Sequence, residues 1–116
     1  MITDKESLSF GKFICELIKR ANLSQSDFYQ TVGITKSYFY DIVSGKTKPP
    51  PAELQMKMIE FLNPSKEDRT LLFEMAGRER QETPIDIAWY LASNEEAKSA
   101  IRENIDYSSL FNRELD

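Results

Sequence analysis

Hydrogen-bonding side chains follow Gly33 at a spacing that brings them onto one side of a helix. They are Lys36, Ser37 and Tyr40. The same segment holds the apolar residues Phe39, Ile42 and Val43, which recur at helical spacing and are expected to face a core. A helix of this kind exposes donors and acceptors that can bond to base edges in the major groove of DNA. The pattern therefore predicts recognition of nucleic acid.

Neighbouring residues extend this candidate surface at both ends of the helix. Thr35 is expected to cap its start, and Asp41 is expected to face outward. Ser44, Lys46 and Lys48 stand at its end, where hydroxyl and amine groups are suited to DNA phosphates. Base-edge and phosphate contacts would then come from one continuous stretch of chain.

Other kinds of chemistry lack the residues they need. The chain has no histidine and one cysteine, so the usual zinc sites, Ser-His and Cys-His nucleophile pairs and an intrachain disulfide are all excluded. Cys15 falls within an apolar helical stretch, which predicts a buried and inert thiol. We expect no enzyme activity, no metal and no cofactor, and the sequence indicates no small-molecule ligand.

The net charge of −4 would disfavour a phosphate-binding protein if it were spread evenly. It is not spread evenly. Residues 1–48 carry seven basic and five acidic side chains, a net charge of +2, whereas residues 49–116 carry eight and fourteen, a net charge of −6. This asymmetry is compatible with one end of the chain facing DNA and the other facing solvent or a partner.

Helical periodicity without strand alternation predicts an all-α fold. A first amphipathic helix is predicted over residues 8–21, and Ser24 with Asp27 forms a capping box that opens a second. The third runs from Thr35 to Ser44, and Gly45 ends it.

Two more helices complete the predicted N-terminal bundle. Three consecutive prolines lead into a fourth helix over residues 51–62, with Pro51 in its first turn, and the box that begins at Ser65 opens a fifth. Gly77 lies where this fifth helix ends or inside it. We therefore predict one helical domain over residues 1–78.

Residues 79–116 are predicted to form a C-terminal helical extension, a candidate dimerisation element. Thr83 and Pro84 start one helix, and Ser93 with Glu96 opens the next, so a helical hairpin is expected. Tyr107–Asp116 shows no clear pattern. No apolar run is long enough to span a bilayer and the N-terminal residues carry no signal-peptide pattern, so we expect a cytoplasmic protein without membrane contact.

The ordered residues of the central segment resemble a known family. The string from Leu23 to Pro49 is similar to the helix-turn-helix of the phage repressor and Cro type (Xre-like), and the resemblance covers residues 8–64. The matching positions are Gln25, Gly33, Ser37-Tyr38, Asp41-Ile42, Gly45 and Pro49. The stretch from Thr83 to Leu91 resembles a C-terminal extension of some small bacterial members. The resemblance implies a five-helix lambda-repressor-like DNA-binding bundle followed by the hairpin.

The resemblance also implies roles for individual residues. Gln25 would contact the DNA backbone and orient the recognition helix, Lys36 and Ser37 would read bases, and Tyr40 would touch a base edge or a thymine methyl. Lys46 and Lys48 match the loop that flanks the phosphates.

One residue departs from the family pattern. Tyr29 stands where the family has alanine, so a wider crossing of the second and third helices is expected.

The function expected from these features is sequence-specific transcriptional regulation, as a repressor on a partly palindromic operator. The expected partners are double-stranded DNA and a second copy of the chain. The alternative is a protein-interaction module, an antitoxin-like or inhibitor-like adaptor with reduced DNA affinity, which fits the acidic composition and Tyr29.

Overall fold

A computed structural model describes residues 8–112 of the chain, and residues 1–7 and 113–116 lie outside it. The described part is all-helical, which confirms the predicted all-α class. Its helices are α1 (Phe10–Arg20), α2 (Gln25–Val32), α3 (Lys36–Ser44), α4 (Ala52–Leu62), α5 (Lys66–Arg80), α6 (Ile85–Ala92), α7 (Glu95–Glu103) and α8 (Tyr107–Phe111).

Hydroxyl side chains cap three of the helices that the sequence predicted them to cap. The backbone N–H of Asp27 donates to Ser24 Oγ over 2.9 Å, and that of Tyr38 donates to Thr35 Oγ1 over 3.0 Å. Ser65 accepts from the N–H of Asp68 in the same way. Each bond satisfies a first-turn donor that has no partner within its helix, so these three starts are determined locally.

Left-handed glycines end the two helices that flank the central turn. Gly33 has φ 91° and Gly45 has φ 81°, and their N–H groups donate to the carbonyls of Tyr29 and Ile42. A side chain at either position would be strained in this backbone conformation. The chain can therefore turn sharply on both sides of α3.

The core lies where α1 packs against α3 and α5. Phe28 of α2 and Phe39 of α3 are both fully buried, with ring centroids 5.9 Å apart. The predicted core positions of α3 are confirmed, because Phe39 and Ile42 are buried and Val43 packs against the same cluster. One face of α3 is thereby anchored.

Gly11 allows the backbones of α1 and α3 to approach each other closely. A Cβ atom at this position would lie 2.7 Å from the carbonyl oxygen of Val43 and 2.8 Å from its Cα. These neighbours are backbone atoms, which cannot rotate away. The close packing of α3 against α1 therefore requires a residue without a side chain at position 11.

The fifth helix continues through Gly77 to Arg80, so that glycine lies inside it and not at its end. Gly77 is buried, and a Cβ there would lie 2.9 Å from the carbonyl oxygen of Glu82. The compact unit that contains α1–α5 extends to Ile85, which is itself buried, and the second unit begins at Asp86. The sequence analysis placed the boundary between the two domains earlier in the chain, between residues 78 and 79.

The C-terminal segment differs from the expected hairpin in two respects. A further short helix, α8, follows α7, whereas no regular structure was predicted there; the end of that segment, residues 113–116, lies outside the described range. The cap of α7 is Asn94, whose side chain accepts from the N–H of Ala97. Ser93 instead donates to the carbonyls of Trp89 and Tyr90 at the end of α6.

Among the described helices, none combines the length and apolar character needed to cross a lipid bilayer.

Candidate nucleic-acid interface

The outer face of α3 presents the polar residues that the sequence singled out. Lys36 and Ser37 in its first turn are exposed, and Tyr40, one turn later, is 43% exposed. Phe39, on the opposite side, is completely buried. The helix therefore has one face fixed in the core and one face of donors and acceptors open to solvent.

A hydrogen bond joins this face to the first turn of α2. The hydroxyl of Tyr40 donates to Gln25 Oε1 over 3.2 Å, across fifteen positions of sequence. Gln25 is half-buried at the first position of α2. The residue expected to contact the DNA backbone is thus linked directly to a residue expected to face bases, and the two helices present one surface.

Gln25 has a second partner, which lies behind this surface. Its Nε2 donates to Cys15 Sγ over 3.7 Å. The sequence predicted a buried thiol, but Cys15 is only half-buried. It lies at the edge of α1 and faces Gln25. Burial raises the pKa of the Cys15 thiol and so favours its protonated form. The Gln25 NH₂ group has two hydrogens, and only one of them is directed at Cys15. The other could donate to a phosphate oxygen.

Thr35 and Asp41 also serve the structure of α3. The hydroxyl oxygen of Thr35 accepts the Tyr38 N–H, yet its own proton stays available to a phosphate because the residue is exposed. Asp41 is half-buried, and its carbonyl accepts from the Thr47 N–H at 3.2 Å and the Ser44 hydroxyl at 3.3 Å. Asp41 thereby shapes the exit from the helix.

Three lysines lie at the two ends of α3. Lys36, Lys46 and Lys48 are exposed, and none of the ion pairs among residues 8–112 includes them. Their charges are therefore not neutralised locally. A phosphate backbone would meet three solvated cations at the two ends of one helix.

Tyr29 is half-buried and packs its ring against Phe39 at 5.6 Å between centroids. Phe39 also contacts Tyr40 edge-on at 5.4 Å. Tyr29 thus adds to the packing beneath the outer face of α3.

Sequence reasoning missed several residues that shape this region. Gly11 gave no signal beyond a glycine within a predicted helix. Gln55 and Arg80 also escaped notice, although their side chains donate to the carbonyls of Pro50 and Pro49 in the loop after α3. Gln55 lies five positions from Pro50, and Arg80 lies 31 positions from Pro49. No local sequence pattern predicts the second contact.

The described residues contain no cluster of acidic or cysteine side chains that could hold a metal ion. Comparison of the chain with protein-family models, with curated proteins and with solved structures found no match. Function is therefore inferred from the geometry around α3.

Proposed function

We propose that this chain is a sequence-specific DNA-binding regulator, a repressor that inserts α3 into the major groove. In this proposal α1–α5 form a lambda-repressor-like bundle and α2–α3 are its helix-turn-helix. Lys36, Ser37 and Tyr40 face base edges, with Asp41 beside them. Gln25, Thr35, Lys46 and Lys48 contact the phosphate backbone. The protein would act in the cytoplasm, without a cofactor.

The observation that carries the proposal is the hydrogen bond between Tyr40 and Gln25. A protein that reads bases must hold its reading helix in register with its phosphate contacts, because phosphate contacts set the orientation on the duplex. The bond provides this register directly. A helix face that contacts only solvent does not require a hydrogen bond between these two polar side chains.

Binding of a random duplex tests the proposal at its first step. The chain should be retained on heparin and should shift random duplex DNA in a salt-sensitive manner, despite its net charge of −4. Selection of bound sequences from a random duplex pool should then return a partly palindromic motif. Failure to bind any duplex at low salt would refute the proposal.

Replacing Lys48 by alanine should weaken binding to all sequences alike, because the side chain contacts a phosphate and no base. The slope of log K against log salt should fall by about 1, since one lysine–phosphate interaction is removed. Fluorescence anisotropy over a salt series measures both quantities. Lys57→Ala, which removes an exposed lysine from α4, is the matched control and should leave the slope unchanged. Equal effects of the two substitutions would contradict the assignment.

We propose further that the regulator binds DNA as a homodimer formed by the C-terminal helices. Helices α7 and α8 bury none of their residues, and Trp89, Tyr90 and Phe111 are 45%, 59% and 78% exposed. Since an aromatic side chain can bury roughly 150–250 Å², these three leave on the order of 350 Å² of aromatic surface. This is a large part of the ~800 Å² that each partner contributes to a standard interface.

Sedimentation at micromolar concentration tests the dimer. The wild type should sediment with twice the chain mass, and Tyr90→Glu should shift it towards the monomer, because a charge would be buried in the interface. Thr70→Glu, at an exposed position of α5 outside the C-terminal helices, adds the same charge and should not change the mass. A monomeric wild type would rule the dimer out.

The second candidate is a protein-interaction module on the same bundle. The exposed aromatic residues of α6 and α8 also favour this function, since unpaired apolar surface marks sites of protein association. The heparin and random-duplex experiments separate the two candidates, because the interaction module requires neither retention nor a salt-sensitive shift.

A further inference from the structure

We infer that Arg80 and Gln55 are positioning residues that hold the loop carrying Lys46 and Lys48 in its phosphate-binding shape. The inference rests on the proposed DNA-binding function. It assigns a role in binding to two side chains that lie outside α2 and α3 and need not touch the duplex.

The loop between α3 and α4 has few means of holding itself in place. Pro49, Pro50 and Pro51 have no backbone N–H, so this half of the loop offers only carbonyl oxygens for hydrogen bonding. Hydrogen bonds can hold this half of the loop only through donors that come from elsewhere in the chain. The side chains of Pro49 and Pro50 are buried, which places their carbonyls where water is scarce.

Two side chains supply the missing donors. Gln55 Nε2 donates to the carbonyl of Pro50 over 2.7 Å, and Arg80 Nη1 donates to the carbonyl of Pro49 over 2.8 Å. Both bonds are short, and the second carries the charge of the guanidinium group, which strengthens it. Consecutive carbonyls are thus held from α4 on one side and from the end of α5 on the other.

The buried amide of Gln55 indicates how specific this arrangement is. The side chain is 1% exposed, and its Oε1 is buried without a hydrogen-bond partner. A buried polar atom without a partner destabilises the fold, and an apolar side chain would avoid that cost. The bond to Pro50 is the compensating contact that the amide makes.

Arg80 is itself held in position. Its Nε donates to Glu82 Oε1 over 2.7 Å, and the N–H of Glu82 donates to the carbonyl of Gly77 over 2.8 Å. Between them Gln81 adopts a left-handed conformation, with φ 58°. The turn after α5 therefore places Glu82 where it can hold the Arg80 guanidinium group towards the loop between α3 and α4.

The consequence concerns Lys46 and Lys48. Both are exposed, whereas the Thr47 N–H between them donates to the carbonyl of Asp41 and Pro49 is held by Arg80. The backbone is thus attached on both sides of Lys48. A loop ordered before binding loses less conformational entropy when it contacts phosphates.

The experiment uses Arg80→Met in the full chain, which removes the guanidinium donor and keeps an unbranched side chain that ends where Nε of the arginine lies. Arg78→Met is the matched control, because it removes an exposed arginine side chain from the same helix end and leaves the backbone hydrogen bond to the Arg78 carbonyl in place. Affinity for a random duplex should fall about twofold to tenfold more in Arg80→Met than in the control, as expected for the loss of one net hydrogen bond. Equal affinities of the two variants would overturn the inference.

A double-mutant cycle separates positioning from a general loss of stability. In a Lys46→Ala, Lys48→Ala background, Arg80→Met should lower affinity no further than Arg78→Met does, because the loop no longer contacts phosphates. A further loss in that background would show that Arg80 acts through the whole fold or by touching DNA itself. If Arg80→Met does not fold, Gln55→Leu takes its place, with the same expected result.

Hydrogen exchange distinguishes failure of this inference from failure of the proposed function. The Thr47 backbone amide, which donates to the Asp41 carbonyl, should exchange faster in Arg80→Met than in the wild type and in Arg78→Met, whether or not DNA is bound. A wild type that binds no duplex would refute the function. Unchanged exchange at Thr47 would refute the positioning role even if the duplex binds.

Discussion

Replacing Gly11 by alanine should lower the free energy of unfolding by about 3 kcal/mol, the upper end of the usual cost of overpacking a core. In an isolated helix the same substitution would stabilise by about 1 kcal/mol, because alanine has the higher helix propensity. In this fold the packing makes the same substitution destabilising, so the free energy of unfolding falls instead of rising. The added Cβ would meet the backbone of Val43 at 2.7–2.8 Å, so α1 and α3 would have to separate.

Thermal unfolding measures the effect, and a decrease of roughly 10 °C in the midpoint corresponds to it for a chain of this size. Lys12→Ala is the control, since it places alanine at the neighbouring exposed position of α1 and should change stability little. A Gly11→Ala variant as stable as the wild type would mean that α3 is not seated against α1 as described. Weaker DNA binding below the unfolding temperature should accompany the loss of stability, because the reading helix moves.

Replacing Lys36 by alanine should reduce sequence discrimination by about 1 to 3 kcal/mol if its amine contacts a base edge. That energy corresponds to a roughly 5-fold to 150-fold loss in the affinity ratio between the selected operator and a random duplex. Lys36 is exposed at the first position of α3 and has no ion-pair partner among residues 8–112, so nothing in the described fold should be lost with it.

Lys66→Ala provides a close match for this experiment. Lys66 is an exposed lysine at the first position of α5 and follows a hydroxyl cap, Ser65, just as Lys36 follows Thr35. Removing it takes away the same charge from an equivalent helical position outside the proposed interface. Titration of both duplexes by anisotropy should show an unchanged ratio for the control. A Lys36→Ala variant that weakens both duplexes equally would reassign Lys36 to a phosphate.

The local features of the fold were predictable from the sequence. The caps at Ser24, Thr35 and Ser65 join a side chain to an N–H three residues later, so both partners lie within one short window of sequence. The burial of Phe28 and Phe39 follows from helical periodicity, because a helix with one apolar stripe turns that stripe to the core. Among the candidate residues, the exposure of Lys36, Ser37 and Tyr40 followed from the same periodicity.

Local patterns were less reliable in the C-terminal region. Ser93 was predicted as the cap of α7 because Glu96 completes a capping box with it, but the cap proved to be the neighbouring Asn94. Helix α8 was missed because five residues give too few turns for a period to be read. Cys15 was assigned to the core from its apolar neighbours, but its place at the edge of α1, facing Gln25, leaves it half-buried.

The amino-acid sequence by itself determined the all-α class, the starts of the main helices and the polar face of α3, since each depends on residues only a few positions apart. The tertiary structure alone decided which distant groups meet: Gly11 with Val43, Tyr40 with Gln25, and Arg80 with Pro49. These contacts depend on how whole helices pack, because the partners lie between fifteen and 32 positions apart. The contacts between the proposed base-reading face of α3 and the residues proposed to bind phosphates are of this second kind.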